Sequence, residues 1–145
     1  MASQNETKLY LKTLYRHRNE PIQNLNLFKN AWHEFIELQT STEDEWVGRS
    51  LLMLQGLDRY ELCIFRPDGL VIAAAIVAYD DWDAHVGPCM SVFAQYVLPD
   101  YRNRGISLKL MREAIRITRD SKYNTLAYTH RKGDWRYDTI YRRVP

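Results

Sequence analysis

The chain has 145 residues, of which 46% are hydrophobic and 26% are charged, and its net charge is +2. This composition predicts a globular protein and excludes a disordered chain. The small net charge gives no indication of nucleic-acid binding, and the longest apolar run, Leu70 to Ala78, is too short for a membrane helix.

The N-terminal part of the sequence predicts one strand followed by two helices. Alternating side chains over Lys8–Leu14 predict the first strand. Apolar residues at near-helical spacing predict a helix from Leu25 to Gln39. Ser41 and the acids after it form a helix-start signal, so we expect a second helix from about Glu43 to Gln55.

Three strands should follow these helices. The first, Tyr60–Phe65, leads into Pro67-Asp68-Gly69, which has the composition of a hairpin turn. The segment Leu70–Ala78 is apolar on both faces, so we expect it to be a central strand of the sheet. Cys89–Leu98 is predicted as the third strand of this group.

The last part of the chain predicts a helix between two parallel strands, and then a terminal strand. An apolar stripe predicts a helix from Gly105 to about Asp120. Asn124–Thr129 should then run parallel to the strand that ends at Leu98, because a helical crossover joins parallel neighbours. With a terminal strand over Tyr137–Val144, the predicted order is β-α-α-β-β-β-α-β-β.

The connection between Tyr96 and Arg112 carries most of the functional information. An apolar strand ends at Pro99, a short basic turn follows, and a helix begins directly after Gly105. Such a connection presents several unpaired backbone N–H groups at the positive end of a helix dipole, next to arginines. This arrangement suits phosphate and predicts a ligand that carries a diphosphate.

The same turn resembles the acetyl-CoA signature of the GNAT acyltransferases. Arg102-x-x-Gly105-x-Ser107 is similar to the family pattern Gln/Arg-x-x-Gly-x-Gly/Ala, and Val97-Leu98-Pro99-Asp100-Tyr101 is similar to the usual approach to it. The resemblance implies an α/β (α+β) fold and a single GNAT-like domain over residues 1–145. Its sheet would be mixed, mostly antiparallel and twisted, with about six strands and helices on both faces.

The resemblance also implies acetyl-CoA as cosubstrate. Val97 and Leu98 would meet the pantetheine arm. The diphosphate would be held by the turn and the start of the helix, that is by Arg102, Asn103, Arg104, Gly105, Ile106 and Ser107. Asn103 stands where the family often has glycine, and Ser107 replaces the final glycine or alanine, where a Cβ narrows the approach of a phosphate.

Acetyl transfer to an amine needs a group that removes a proton and a donor for the oxyanion. The resemblance implies a backbone N–H near Val97 as this donor. The acidic segment with Asp81 and Asp83 is the candidate base, and its alternative is a solvated loop with Trp82 folded back on the core. Gln95 lies where some family members carry an acidic base, but an amide cannot accept the proton usefully.

The C-terminal part departs from the family pattern. Members usually continue with a fourth helix, whose tyrosine protonates the departing thiolate, and with two further strands. Residues 130–145 leave no space for these elements. The role of the acid is then vacant, or it falls to Tyr128, Tyr137 or Tyr141, or to a partner subunit.

Other kinds of site find little support. The four histidines have no metal-ligand spacing, so no metal is expected. The tail from Arg131 to Arg143 interleaves bases and aromatic residues, which suits nucleic acid but equally an edge strand that faces water, and we favour the strand. Cys63 and Cys89 lie in apolar strands and the N-terminus lacks an export signal, so we expect a cytoplasmic location, or a host cytoplasm or virion for a phage protein.

Two functions follow from the sequence. The first is a GNAT-type N-acetyltransferase that moves an acetyl group directly from acetyl-CoA to a small-molecule or protein amine acceptor. The second is a catalytically inactive GNAT-fold protein that acts as a structural or protein-binding component, for example of a phage particle. An open sheet edge at the C-terminus would favour a homo-oligomer or a larger protein assembly.

Overall fold

The computed structural model describes residues 8–133 and 135–145. These residues form six strands and three α-helices in the predicted order. They are β1 (Tyr10–Arg16), α1 (Leu25–Glu34), α2 (Glu43–Gln55), β2 (Arg59–Phe65), β3 (Val71–Asp83), β4 (Gly87–Val97), α3 (Ile106–Asp120), β5 (Thr125–Gly133) and β6 (Arg136–Arg143). Short 3₁₀ turns lie at Ile36–Leu38 and Pro99–Tyr101.

The strands form a mixed, mostly antiparallel sheet in sequential order from β1 to β6. Antiparallel pairing joins β1 to β2, β2 to β3, β3 to β4 and β5 to β6, whereas β4 and β5 run parallel. The parallel pair arises because α3 is the crossover between these two strands. The predicted sheet, including its one parallel pair among the described strands, is confirmed.

Helices cover both faces of the sheet, and β3 separates two buried clusters. On one face, Leu27 and Phe28 of α1 and Leu54 of α2 pack with Ala74 and Ile76 of β3. The other cluster includes α3 and the remaining β3 residues, namely Ile106, Leu110, Ala114, Ile117, Ile72, Ala73, Ala75 and Val77. Because β3 is buried on both faces, it has the continuous apolar sequence of a central strand, as predicted.

Two local signals have their expected effect. The hydroxyl of Thr42 accepts a hydrogen bond from the Glu45 N–H at 3.2 Å and caps α2, which spans the residues that the sequence predicts. The turn before β3 closes with a bond from the Gly69 N–H to the Arg66 carbonyl at 2.9 Å. Gly69 has a φ of +90°, which glycine adopts at little cost.

Several predicted boundaries are wrong. The strand predicted to end at Ala78 continues to Asp83 in β3, and the strand predicted to end at Thr129 continues to Gly133 in β5, because pairing with β4 and β6 extends them.

The first strand begins at Tyr10 and continues to Arg16, because its register is set by pairing with Phe65 and Arg59 of β2 rather than by its own alternation. The first helix ends at Glu34, since Phe35 leaves the helical region with φ −111° and ψ 37° and a 3₁₀ turn follows. The early end leaves Glu34 in the last turn of α1.

Candidate functional site

The parallel strands β4 and β5 separate after a short contact. Within the described residues they pair at two positions, Met90 with Leu126 and Ser91 with Ala127. Beyond these pairs β4 continues to Val97 and β5 to Gly133. Six residues of each strand therefore border an opening in the sheet, roughly 20 Å long at about 3.3 Å per residue.

A β-bulge at Phe93 lies where this opening begins. The register between β3 and β4 passes from Val77–Val92 to Ile76–Ala94, so Phe93 has no opposite residue on β3. A bulge bends its strand and increases the local twist. The bend accounts for the separation of β4 from β5 directly after Ser91.

The open edge of β4 carries unpaired backbone groups. The Leu98 N–H donates to the Ile72 carbonyl on β3 at 2.9 Å, and Val97 is opposite Ala73. Hydrogen-bonded and non-hydrogen-bonded pairs alternate in an antiparallel ladder. The N–H and C=O groups of Val97 and Gln95 therefore point away from β3, into the opening.

At its C-terminal end β4 leads into the predicted diphosphate loop. Asn103 and Gly105 have φ values of +62° and +77°, and Gly105 occupies the N-cap position of α3. No side chain of the described residues caps this helix end, and a Cβ built on Gly105 would meet no atom within 4 Å. The loop thus presents free backbone N–H groups to open space, at the positive end of a 15-residue helix.

Among the residues predicted to bind the coenzyme, some side chains are buried in the core and others are exposed. Val97 and Ile106 are buried in the core beside the half-buried Leu98. Asn103, Arg104 and Ser107 are exposed.

Arg104 is the cation that this loop leaves available for an anion. Its guanidinium lies 5.5 Å from the ring centre of Tyr101. No carboxylate among residues 8–133 and 135–145 forms an ion pair with it. Its charge is therefore not neutralised within the described part of the chain.

Arg102 is held differently from Arg104. Its guanidinium donates two hydrogen bonds to the Glu34 carboxylate, at 2.6 and 2.9 Å, and its Nε donates to the Val97 carbonyl at 3.0 Å. The Arg102 N–H donates to the Pro99 carbonyl at 3.2 Å. The prediction that Arg102 binds the diphosphate stays a prediction, and in this structure its side chain joins the loop to α1.

Glu34 is a member of this site that the sequence did not indicate. Besides Arg102 it accepts a hydrogen bond from the Tyr96 hydroxyl at 2.8 Å. Its bonds to Arg102 are the main cause that lowers the pKa of Glu34, while burial and the Glu34 charge raise the pKa of Tyr96 to about 12. No local signal in α1 could have shown this pairing, because the partners are 68 and 62 residues away.

Asp81 and Asp83 lie at the end of β3 that turns into β4, which we call the closed end of the sheet because β4 and β5 separate only further along. Both belong to β3 itself rather than to a separate loop, and Trp82 is 74% exposed rather than folded on the core. Asp83 pairs with Gly87, which is separated from Gln95 by roughly 25 Å of strand. The base role of these carboxylates stays a prediction, and the geometry separates them from the opening.

Asp83 also has structural partners. Its carboxylate accepts from the His85 and Val86 N–H groups at 2.8 and 3.2 Å and from the Tyr141 hydroxyl at 2.9 Å. The bond from His85 is the first cause that lowers the pKa of Asp83, which makes its carboxylate a weaker base. Tyr141 is engaged here, away from the opening.

Of the remaining candidate acids, Tyr128 is the nearer to the point where the strands separate. It is the first β5 residue after the last pair with β4, and it is half-buried against the core. Tyr137 lies opposite Arg131, further toward the open end, and is 50% exposed. As the candidate acid, Tyr128 is therefore favoured over Tyr137 by its position in the sheet.

Metal-ligand clusters and membrane-spanning helices are both absent from the described residues. Among them, no group of three or more His, Cys, Asp or Glu side chains is arranged to hold a metal ion. No helix in residues 8–133 and 135–145 has the length and hydropathy needed to cross a membrane.

Comparison with known proteins gives a family match and structural neighbours. The model of the acetyltransferase (GNAT) family matches residues 24–134. No curated protein matches the sequence. The family match includes the opening, the loop after β4 and α3.

Three solved structures illustrate the structural similarity. A predicted acetyltransferase from Clostridium acetobutylicum, determined with acetyl-CoA, has a TM-score of 0.64 at 12% identity, over 88% of this chain and 84% of that one. Aminoglycoside 6′-N-acetyltransferase Ih from Acinetobacter baumannii has a TM-score of 0.56 at 14% identity, over 86% and 82%. An aminoglycoside acetyltransferase from an uncultured soil sample, in complex with sisomicin, has a TM-score of 0.55 at 11% identity, over 86% and 78%.

Proposed function

The chain belongs to the acetyltransferase (GNAT) family, and we propose on that premise that it transfers an acetyl group directly from acetyl-CoA to an amine acceptor. One observation carries the proposal. The opening between β4 and β5 runs into the loop at the N-terminus of α3. A slot for an extended arm that bears amide groups therefore continues into a site for a diphosphate.

The residues at both parts of this site fit the coenzyme. Gln95 and Val97 direct N–H groups into the opening, and such groups bind an extended arm as a further strand would be bound. The N–H groups of the loop from Asn103 to Ser107, with open space at Gly105, would hold the diphosphate. Arg104 would add a cation that has no competing carboxylate in the described structure.

The reaction forms a C–N bond to the acceptor amine and breaks the C–S bond of the thioester. Charge develops on the carbonyl oxygen during this exchange, and preorganised backbone donors stabilise such charge strongly. We assign this role to the N–H groups at the open edge of β4, with Gln95 as the first candidate. One proton leaves the amine for solvent water, and one is taken up by the thiolate. We propose Tyr128, the first β5 residue beyond the last pair with β4, as the donor of the second proton.

We propose a small-molecule amine as the acceptor. Two of the neighbours are named as aminoglycoside acetyltransferases, and one of them is seen with sisomicin. In this chain the acceptor would enter at the open end of the slot, near the last turn of α1. Sisomicin and a panel of simpler polyamines are suitable first probes.

Thermal-shift titration with acetyl-CoA tests the coenzyme site. A ligand at about 100 times its dissociation constant stabilises a protein by roughly 2.7 kcal/mol, which raises the melting temperature by several degrees. We expect Arg104→Ala to weaken binding about tenfold, as loss of one charge-assisted contact does. Arg119→Ala, which removes an exposed charge at the other end of α3, is the matched control.

The result also separates the two functions that the sequence suggests. A shift that depends on Arg104 supports the enzyme and justifies the acceptor panel. No shift at millimolar acetyl-CoA would contradict it and favour the inactive scaffold.

A further inference from the structure

Glu34 and Arg102 form a doubly hydrogen-bonded ion pair beside the proposed coenzyme site. A carboxylate and a guanidinium that share two hydrogen bonds make a specific, charge-assisted pair. The two side chains are 23% and 38% exposed, so the pair lies at the surface and can open without unfolding the core. A competing anion can therefore replace the Glu34 carboxylate as the partner of Arg102.

The pair also blocks part of the open edge of β4. The Val97 carbonyl points into the opening, and the Nε of Arg102 occupies it at 3.0 Å. A ligand arm that pairs with the open edge of β4 as a further strand would use this carbonyl as an acceptor. Glu34 thus holds the Arg102 side chain across the position that the arm would take.

We propose that the Glu34 carboxylate competes with the coenzyme for Arg102, and that coenzyme binding transfers the Arg102 guanidinium from this carboxylate to the diphosphate. This inference rests on the proposed function. Arg102 begins the loop whose backbone would hold the diphosphate, and a guanidinium binds phosphate with the same paired geometry that it uses for a carboxylate. The exchange replaces one anionic partner by another and frees the Val97 carbonyl.

Two neighbouring groups would stabilise the negative charge of Glu34 after Arg102 has left. The Tyr96 hydroxyl donates to it at 2.8 Å and belongs to a side chain that is buried. The Arg131 guanidinium of β5 lies 4.2 Å from the centre of the ring of Phe35, the residue that follows Glu34. The positive charge of Arg131 also lowers the pKa of Glu34. The carboxylate would therefore keep a hydrogen bond and a nearby cation when Arg102 leaves.

Isothermal titration of the purified full chain with coenzyme A tests this exchange, using Glu34→Gln, Glu34→Asp, Arg102→Ala and the double variant Glu34→Gln/Arg102→Ala. Glu34→Gln should bind coenzyme A about three- to tenfold more tightly, because it removes a competing partly exposed ion pair. Glu34→Asp should also bind more tightly, since its shorter carboxylate cannot hold both guanidinium nitrogens. Arg102→Ala should bind more weakly, and the double variant should match it.

The outcomes separate the exchange from simpler roles. Equal or weaker binding by a folded Glu34→Gln protein would overturn the inference and make Glu34 a structural support. If Glu34→Gln tightened binding equally in the Arg102→Ala background, the inference would also be overturned, because the gain would then come only from the removal of a negative charge. Glu37→Gln removes an exposed acid three residues away and should leave the affinity unchanged.

Failure of the proposed function gives a different pattern. If neither wild type nor any variant binds coenzyme A at millimolar concentration, the coenzyme site itself is absent and the inference is overturned with it. If Glu34→Gln binds and the wild type does not, both the coenzyme site and the masking contact are supported. Circular dichroism and melting curves show which variants are folded, and Glu34→Asp serves as the test if Glu34→Gln is not.

Discussion

The Arg102 guanidinium and the Glu34 carboxylate bond to each other at 2.6 and 2.9 Å, across a separation of 68 residues. This pair joins the loop after β4 to the last turn of α1. It brings the proposed coenzyme loop and the proposed entrance for the acceptor into one connected unit.

Replacing Gly105 by alanine should weaken coenzyme binding and lower stability. Gly105 has a φ of +77°, where a Cβ is strained by roughly 1 kcal/mol, and a methyl group there would project into the space assigned to the diphosphate. Gly69→Ala is the matched control, since Gly69 also has positive φ and open space but lies in the turn before β3. Both variants should lose similar stability in urea unfolding, and Gly105→Ala should lose coenzyme affinity as well.

Replacing Gln95 by proline should abolish most activity while the protein still folds. The Gln95 N–H points into the opening, so proline removes the proposed oxyanion donor without breaking a bond to β3. We expect kcat to fall by about 10²- to 10³-fold, as for other lost oxyanion donors. Gln95→Ala keeps the N–H and should retain kcat within a few-fold, and equal losses in both variants would contradict the assignment.

Asp83→Asn and Tyr128→Phe should have opposite consequences. The Asp83 carboxylate accepts from two backbone N–H groups and from Tyr141 at the closed end of the sheet, so its loss should lower the melting temperature and change kcat little. Tyr128→Phe removes the proposed proton donor and should lower kcat by about 10²-fold or more. A large kcat loss in Asp83→Asn, with a shift in its pH–rate profile, would restore Asp83 as the base.

Stability should depend on pH through Glu34 on the acid side. The pKa of Glu34 in the folded protein lies below its ordinary value of 4.5, mainly because Arg102 donates to the carboxylate. The ion pair therefore stabilises the fold above about pH 5, and this contribution is lost as the pH falls through the folded pKa. Urea midpoints measured from pH 7 to pH 3 should fall more steeply for wild type than for Glu34→Gln, and parallel curves would contradict the prediction.

Much of the fold can be predicted from this sequence because the relevant signals are local. The Thr42 cap, the Gly69 turn and the apolar run of β3 each specify their element within a few residues. The positive φ at Gly105 is also a local property, and it accompanies the motif that resembles the family signature. The parallel placement of β5 follows from the helix between the two strands.

Other features could not be predicted, for identifiable reasons. The separation of β4 from β5 depends on a bulge at Phe93, and no glycine or proline marks that position. The end of α1 at Glu34 and the start of β1 at Tyr10 depend on neighbouring elements rather than on periodicity. The base role of Asp83 stays a prediction, but its hydrogen-bond partners and its distance from the opening could not be read from the acidic segment around it.

By itself the sequence determined the order of the elements and the position of the proposed coenzyme loop, because caps, turns and hydrophobic periodicity act between near neighbours. The tertiary structure alone decided which side chains meet at that loop. In the folded chain Arg102 pairs with Glu34, whereas Arg104 has no carboxylate partner among the described residues. Asp83 lies at the end of the sheet away from that loop. These relationships arise from contacts between residues distant in the chain, which local patterns do not encode.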